Sequence, residues 1–166
     1  MINKKTKKIL KIRLDTGIDF SCAFLLTYEK SSEKLHGHNF GVALEIEGYL
    51  TEDYFVVDYR YIKAILREIC KELDEHTLIP TLNKRIDFSI NDQNIEFSLD
   101  GKNYLIPKED ALLLELANLS TEMLAIYICQ KIKTRVRQDG YNNLITISVQ
   151  VSEKPGQSAT YSETLA

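Results

Sequence analysis

The chain has 166 residues, enough for one domain with a real apolar core. With 44% hydrophobic and 27% charged residues it has the composition of a soluble globular protein, and a formal charge of −3 argues against a general nucleic-acid binder or a membrane-surface protein. No apolar run approaches a membrane span, and the lysine-rich start lacks the apolar core of a signal peptide.

Leu10, Ile12 and Leu14 alternate with Lys11 and Arg13. After a turn near Asp15–Gly17 the apolar face continues through Ile18, Phe20, Cys22 and Phe24. A second strand is predicted from about His38 to Tyr49, where Phe40, Val42, Leu44 and Ile46 share one parity and Ala43, Glu45 and Glu47 take the other. Asp58 precedes a helical pattern in which Tyr61, Ile65, Ile69 and Leu73 recur every four residues, widened by Ile62 and Leu66. Pro80 ends that helix by about Thr77. Residues 84–108 alternate around Asn91–Asn94 and Asp100-Gly101 and predict a small meander. A second helix starts near Ser120-Thr121-Glu122, capped by Asn118 or Ser120, and stops at Asp139-Gly140. Ile145, Ile147, Val149 and Val151 predict a third main strand running into Glu153, and a last short strand holds Tyr161. The order β-β-α, meander, α-β-β describes one α+β domain over residues 1–166.

Three cysteines, Cys22, Cys70 and Cys129, form no CxxC pair, so free thiols in a reducing cytoplasm are the simplest account. Cys70 and Cys129 fall within helical patterns, as small core residues do.

His36 and His38 are two of only three histidines and stand two positions apart. On a strand both imidazoles point the same way and converge on one ion or ligand. Two histidines make half a zinc site, since zinc takes at least three protein ligands. A pair of hydrogen-bonded core histidines reads the spacing equally well. Glu153 shares the parity of Ile147, Val149 and Val151, which places a carboxylate at the rim of the apolar face. Its donors there are an Arg or Lys, or a ligand with two adjacent N–H groups such as a guanine or pterin ring. An exposed strand-end acid is the plainer alternative.

His76 follows Asp74 and Glu75 at the end of the first helix. An acid beside a histidine suits proton relay, and a histidine on the helix dipole is the alternative. Glu33, three residues before His36, is a general base if it shares their pocket and a loop acid otherwise. Ser120 and Thr121 read more simply as capping groups than as nucleophiles.

Together these segments resemble the 6-pyruvoyl-tetrahydropterin synthase and 6-carboxytetrahydropterin synthase family. The resemblance rests on Phe20-Ser21-Cys22-Ala23, Leu35-His36-Gly37-His38-Asn39-Phe40, Val56-Val57-Asp58-Tyr59, Leu73-Asp74-Glu75-His76, Ser120-Thr121-Glu122 and Val151-Ser152-Glu153, in that order. Residues 84–112 resemble an insertion relative to short bacterial members. The resemblance implies a tunnelling fold, a four-stranded antiparallel sheet with two helices on one face, here with an inserted β-meander. It also implies a homo-trimer or homo-hexamer with active sites between subunits. Zinc on three histidines would bind the side-chain hydroxyls of dihydroneopterin triphosphate. Carried over, His36 and His38 are zinc ligands and Glu153 anchors the pterin. Glu75 or Asp74 forms the relay with His76, and Ser120 and Thr121 border the substrate.

Two positions depart from the pattern. Phe24 stands where the family's first zinc histidine follows Phe-Ser-Ala-Ala, and Ser32 stands where its catalytic cysteine is expected. Glu33 sits where one branch carries a glutamate in place of that cysteine, a branch resembling an aldolase that releases 6-hydroxymethyl-dihydropterin. The expectation is therefore a pterin-side-chain lyase with an altered zinc site. A pterin- or purine-binding member without catalysis or zinc is the second reading, and a purely structural oligomer the third.

Overall fold

A computed structural model describes residues 8–15 and 17–165. Its main sheet has seven strands. β1 (Ile9–Leu14) and β2 (Asp19–Phe24) run end to end along β3 (His36–Tyr49), with Leu14 opposite Leu44 and Phe20 opposite Phe40. The strand at Leu10–Phe24 is thus split, with Gly17 on the left-handed side at φ 76°, and residue 16 of the expected turn lies outside the described residues. β9 (Leu144–Lys154) lies on the other side of β3, and β10 (Gln157–Thr164) is its antiparallel neighbour at the edge.

The expected four-stranded antiparallel sheet is extended on its other flank. β4 (His76–Pro80) pairs parallel with β2, and β8 (Ala111–Leu114) pairs parallel with β4 and forms the second edge. Parallel pairing of distant segments leaves no local signature, and both strands are short apolar runs that periodicity alone does not assign. The meander forms as expected: β5 (Asp87–Ile90), β6 (Asn94–Leu99) and β7 (Lys102–Pro107) make a separate three-stranded sheet.

Helix α1 (Tyr59–Leu73) begins at Asp58, whose carboxylate accepts the Arg60 N–H at 2.7 Å, and buries Ile62, Ile65, Leu66, Ile69, Cys70 and Leu73. Helix α2 (Thr121–Gln138) begins at Ser120 and buries Leu124, Ala125, Ile128, Cys129, Ile132 and Val136. Both stripes join the inward side chains of the sheet in one cluster. The parity expected for β3 holds, with Phe40, Val42, Leu44 and Ile46 buried. A truncation such as Leu66→Ala here costs about 2–5 kcal/mol.

All three cysteines are buried and unpaired. Burial pushes the thiols of Cys22 and Cys70 up to about 12 and that of Cys129 up to about 11, which leaves them un-ionised and unreactive. No helix among the described residues is long and apolar enough to cross a membrane.

A smaller apolar cluster sits between the meander and the main sheet. Ile86, Ile95, Phe97 and Leu99 pack there with Ile79 and Leu25, and Leu35 is partly buried against it.

Candidate functional site

β3 begins at His36, so both histidines lie on the strand, on the parity of Phe40. The apolar face fades at this end, and each imidazole keeps about a third of its surface open (31%). Gly37 lets the strands close: a Cβ there would sit 3.1 Å from the Cys22 carbonyl oxygen. The two rings meet edge to face, 5.1 Å apart between centroids.

Each histidine faces a carboxylate. Glu33 Oε2 lies 3.4 Å from His36 Nε2, and Glu153 Oε1 lies 3.1 Å from His38 Nε2. His36 Nδ1 donates to the Lys34 carbonyl oxygen at 2.7 Å, which fixes its tautomer. Nε2 then faces Glu33 with its lone pair. The other Glu33 oxygen accepts from the Tyr28 hydroxyl, and this hydrogen bond holds the Tyr28 phenol above its usual range.

Glu153 fits the expected place, since it continues the parity of buried Val149 and Val151. Its side-chain partner is an imidazole, neither the Arg or Lys nor the bare solvent that were two of the alternatives. Next to it opens a cleft of about 690 Å³, bounded by His38, Asn39, Gly41, Gln150, Ser152 and Glu153. A second groove of about 440 Å³ between α1 and α2 shares none of these residues. Its chemistry, Glu68, Glu72, Lys131 and Arg135 around a shallow apolar floor, gives no comparable reacting set.

Phe24 lies against both imidazoles. It is opposite His36 in the sheet, 1% exposed, with its ring 4.6 Å from the His36 ring and 5.8 Å from that of His38. It offers the two imidazoles a hydrocarbon ring and no metal ligand. Two imidazole nitrogens beside two carboxylates are donors a divalent cation accepts. Yet among the described residues no three His, Cys, Asp or Glu side chains gather as a ligand set.

The second acid–histidine pair is arranged differently. His76 opens β4 rather than ending α1, because Asp74 caps the helix with its N–H on the Cys70 carbonyl and Glu75 turns the chain at φ 58°. Asp74 accepts from Ser21 N–H through its carboxylate at 2.7 Å, and only its carbonyl oxygen meets His76 Nδ1, at 2.6 Å. Cys22 is in register with both His38 and His76, so the two histidines lie about 10 Å apart across two strand spacings. No hydrogen bond or ion pair joins Glu75 or His76 to the β3 group among the described residues. Ser120 caps α2 through Met123 N–H at 3.5 Å, and Thr121 reaches Glu122 at 3.3 Å.

Sequence reasoning missed the residues that hold Glu33. Residues 25–35 form a tight hairpin in which Thr27 bridges Ser32 and Glu33 N–H donates to the Leu26 carbonyl at 2.9 Å. Asn118, the alternative to Ser120 as the α2 cap, clasps Thr27 through Nδ2–H to its carbonyl at 2.9 Å and Oδ1 from its N–H at 3.2 Å. Asn83, the one buried polar residue among those described, donates to Thr27 Oγ1 at 2.7 Å. Asn and Thr are common in loops, and no pattern in the chain marks these as partners.

The match to known proteins follows the same segments. The family model described as 6-pyruvoyl tetrahydropterin synthase matches residues 13–164. The chain belongs to that family. A Methanocaldococcus jannaschii protein, provisionally named 6-carboxy-5,6,7,8-tetrahydropterin synthase, is 34% identical over 89% of this chain and 91% of its own. The structure of 6-pyruvoyl tetrahydropterin synthase from Plasmodium vivax is 26% identical over 95% of this chain and 99% of that one, with a TM-score of 0.89. A variant of the Plasmodium vivax enzyme, in which a glutamate described as a catalytic residue is replaced by alanine, superposes as well, at 25% identity over the same shares and a TM-score of 0.89. The tunnelling fold is therefore that of the tetrahydropterin synthases, with β4 and β8 added to the expected four strands.

Proposed function

We propose that the chain is a lyase acting on the side chain of dihydroneopterin triphosphate or a related dihydropterin, with Glu33 as its general base. The observation that carries this reading is the Glu33 carboxylate, held between the Tyr28 hydroxyl and His36 at the rim of the family's histidine pair. A relative of the same fold has a glutamate described as catalytic, which supports the role.

In this reading the pterin ring lies in the cleft beside β3 and β9. Glu153 accepts from two adjacent ring N–H groups, the pairing a carboxylate makes best. Its contact with His38 keeps the carboxylate oriented when no ligand is present. Glu33 takes a proton from the side chain, and either the triphosphate leaves or the chain is cleaved. Ser120 and Thr121 border the substrate from the α2 N-terminus. Glu75 and His76 complete a proton relay in the site that neighbouring copies form. His36 and His38 would supply two ligands to a zinc ion, with Phe24 beside them offering none. Zinc bound there would acidify the substrate hydroxyls.

A second reading is favoured by Phe24 alone. With the third ligand position filled by a phenyl ring, the Glu153 cleft binds a pterin or purine without chemistry.

Incubation of the purified protein with dihydroneopterin triphosphate, followed by product identification, separates the two. Turnover that Glu33→Gln abolishes supports the lyase. Binding without any product, with zinc added, refutes the lyase and leaves the binding protein.

A further inference from the structure

The inserted meander is not decoration on the far side of the fold. It touches the Glu33 hairpin at three places. Ser32 Oγ, one residue before Glu33, donates to Asp100 Oδ2 at 2.7 Å. Arg85 Nη1 donates to the carbonyl oxygens of Tyr28 at 2.5 Å and Ser31 at 2.7 Å, while its other terminal nitrogen pairs with Asp100. Leu25 and Leu35, the two feet of the hairpin, pack into the meander's apolar cluster with Ile86, Ile95, Phe97 and Leu99.

The chemistry of each contact suits a rigid brace. One guanidinium nitrogen, Nη1, bonds both hairpin carbonyls, of which that of Ser31 also accepts the Tyr28 N–H at 2.8 Å. The planar group holds Asp100 on its other nitrogen. Asp100 is held at its own turn with φ 51°, next to Gly101 at φ 76°. The hydrogen bond from Ser32, with that from Arg85, keeps its carboxyl below the usual range.

Resting on the proposed role of Glu33, we infer that residues 84–112 are the positioning element of the active site. Arg85 and Asp100 are its positioning residues. They touch no reacting atom and act by holding Tyr28 to Glu33 in one geometry. Tyr28 lies inside the braced turn, so the brace also sets the phenol that hydrogen-bonds Glu33.

Hydrogen exchange read by mass spectrometry on the full-length protein, with steady-state kinetics on the same samples, tests this. Arg85→Ala is expected to speed exchange over residues 26–34 about tenfold while the peptides of α1 and α2 stay unchanged. In the same variant kcat falls about 10- to 100-fold with KM within about threefold, since a displaced base costs rate rather than binding. Arg85→Lys restores charge but not the fork and is expected to recover only part of either effect. Asp100→Asn repeats the pattern if Arg85→Ala folds poorly, and Lys84→Ala is the neighbouring control. Unchanged exchange over 26–34 overturns the brace whether or not the wild type has activity. Faster exchange with kcat unchanged overturns the positioning role. Faster exchange in a protein that never turns over the pterin upholds the brace but overturns its catalytic purpose and the lyase reading together.

Discussion

Two of the three histidines, His36 and His76, have an acid within three residues in the chain, and the fold treats the two locations in opposite ways. At the β3 rim, Glu33 and Glu153 bring carboxylates to within 3.4 and 3.1 Å of imidazole nitrogens. At the start of β4, Asp74 turns its carboxylate to the Ser21 N–H, and His76 meets only a backbone carbonyl. The difference comes from what each acid must satisfy. Asp74 ends a helix and tethers it to β2, so its carboxylate is already committed. Glu33 and Glu153 sit at a strand rim with an imidazole beside each, and Glu33 shares its carboxylate with the Tyr28 hydroxyl. An acid next to a histidine in sequence thus need not meet it through its side chain, as Asp74 beside His76 shows, while Glu153 and His38 meet from segments far apart in the chain.

The sharpest way to break this contrast is to remove the acids one at a time. Glu33→Gln is expected to lower turnover about 10²- to 10⁴-fold with the fold intact. It also removes the carboxylate that holds the Tyr28 phenol up, so that phenol ionises at lower pH in an alkaline ultraviolet titration read against Tyr28→Phe. Turnover near the wild-type rate would mean that Glu33 is only a loop acid.

Glu153→Gln comes next, with pterin affinity reduced about 10- to 100-fold by titration of ligand fluorescence, because the amide offers an N–H where the carboxylate offered a second acceptor. Affinity that does not move would place the ligand elsewhere.

The metal question is sharpened by rebuilding the missing ligand. Phe24→His is expected to raise zinc affinity at least about tenfold over the wild type, and His36→Ala to remove bound zinc, both measured as metal per subunit after dialysis. Equal zinc in wild type and Phe24→His would show that the site has already found a third ligand.

The smallest effect belongs to the other pair. Glu75 holds a left-handed backbone angle that glycine takes without strain, so Glu75→Gly should stabilise the protein by about 1 kcal/mol in denaturant unfolding. A loss of stability would reveal a contact for the Glu75 side chain that the turn geometry does not require.

Much of the site was legible from the chain because its signals are local. The period of a strand put His36 and His38 on one side and Glu153 on the side of Val149 and Val151, and both placements hold. Ser120 and Asp58 cap the helices they precede. Phe24 stood out only through the family resemblance, since an apolar residue on an apolar strand carries no signal of its own. Arg85 and Asp100 carried none either: the first follows a lysine and the second opens an Asp-Gly turn, and their partners lie 54 and 68 residues away for the Ser31 and Ser32 contacts.

By itself, then, the sequence determined the faces of β3 and β9, the two amphipathic helices, the meander and the residue types at the rim. Those follow from periodicity and capping, which act over a few residues. Only the tertiary structure decided that Phe24 closes against both imidazoles, that His76 opens a parallel strand, and that the meander grips the Glu33 hairpin. These are contacts between segments far apart in the chain, fixed by which surfaces remain to be buried and which polar groups remain to be paired once the sheet has formed.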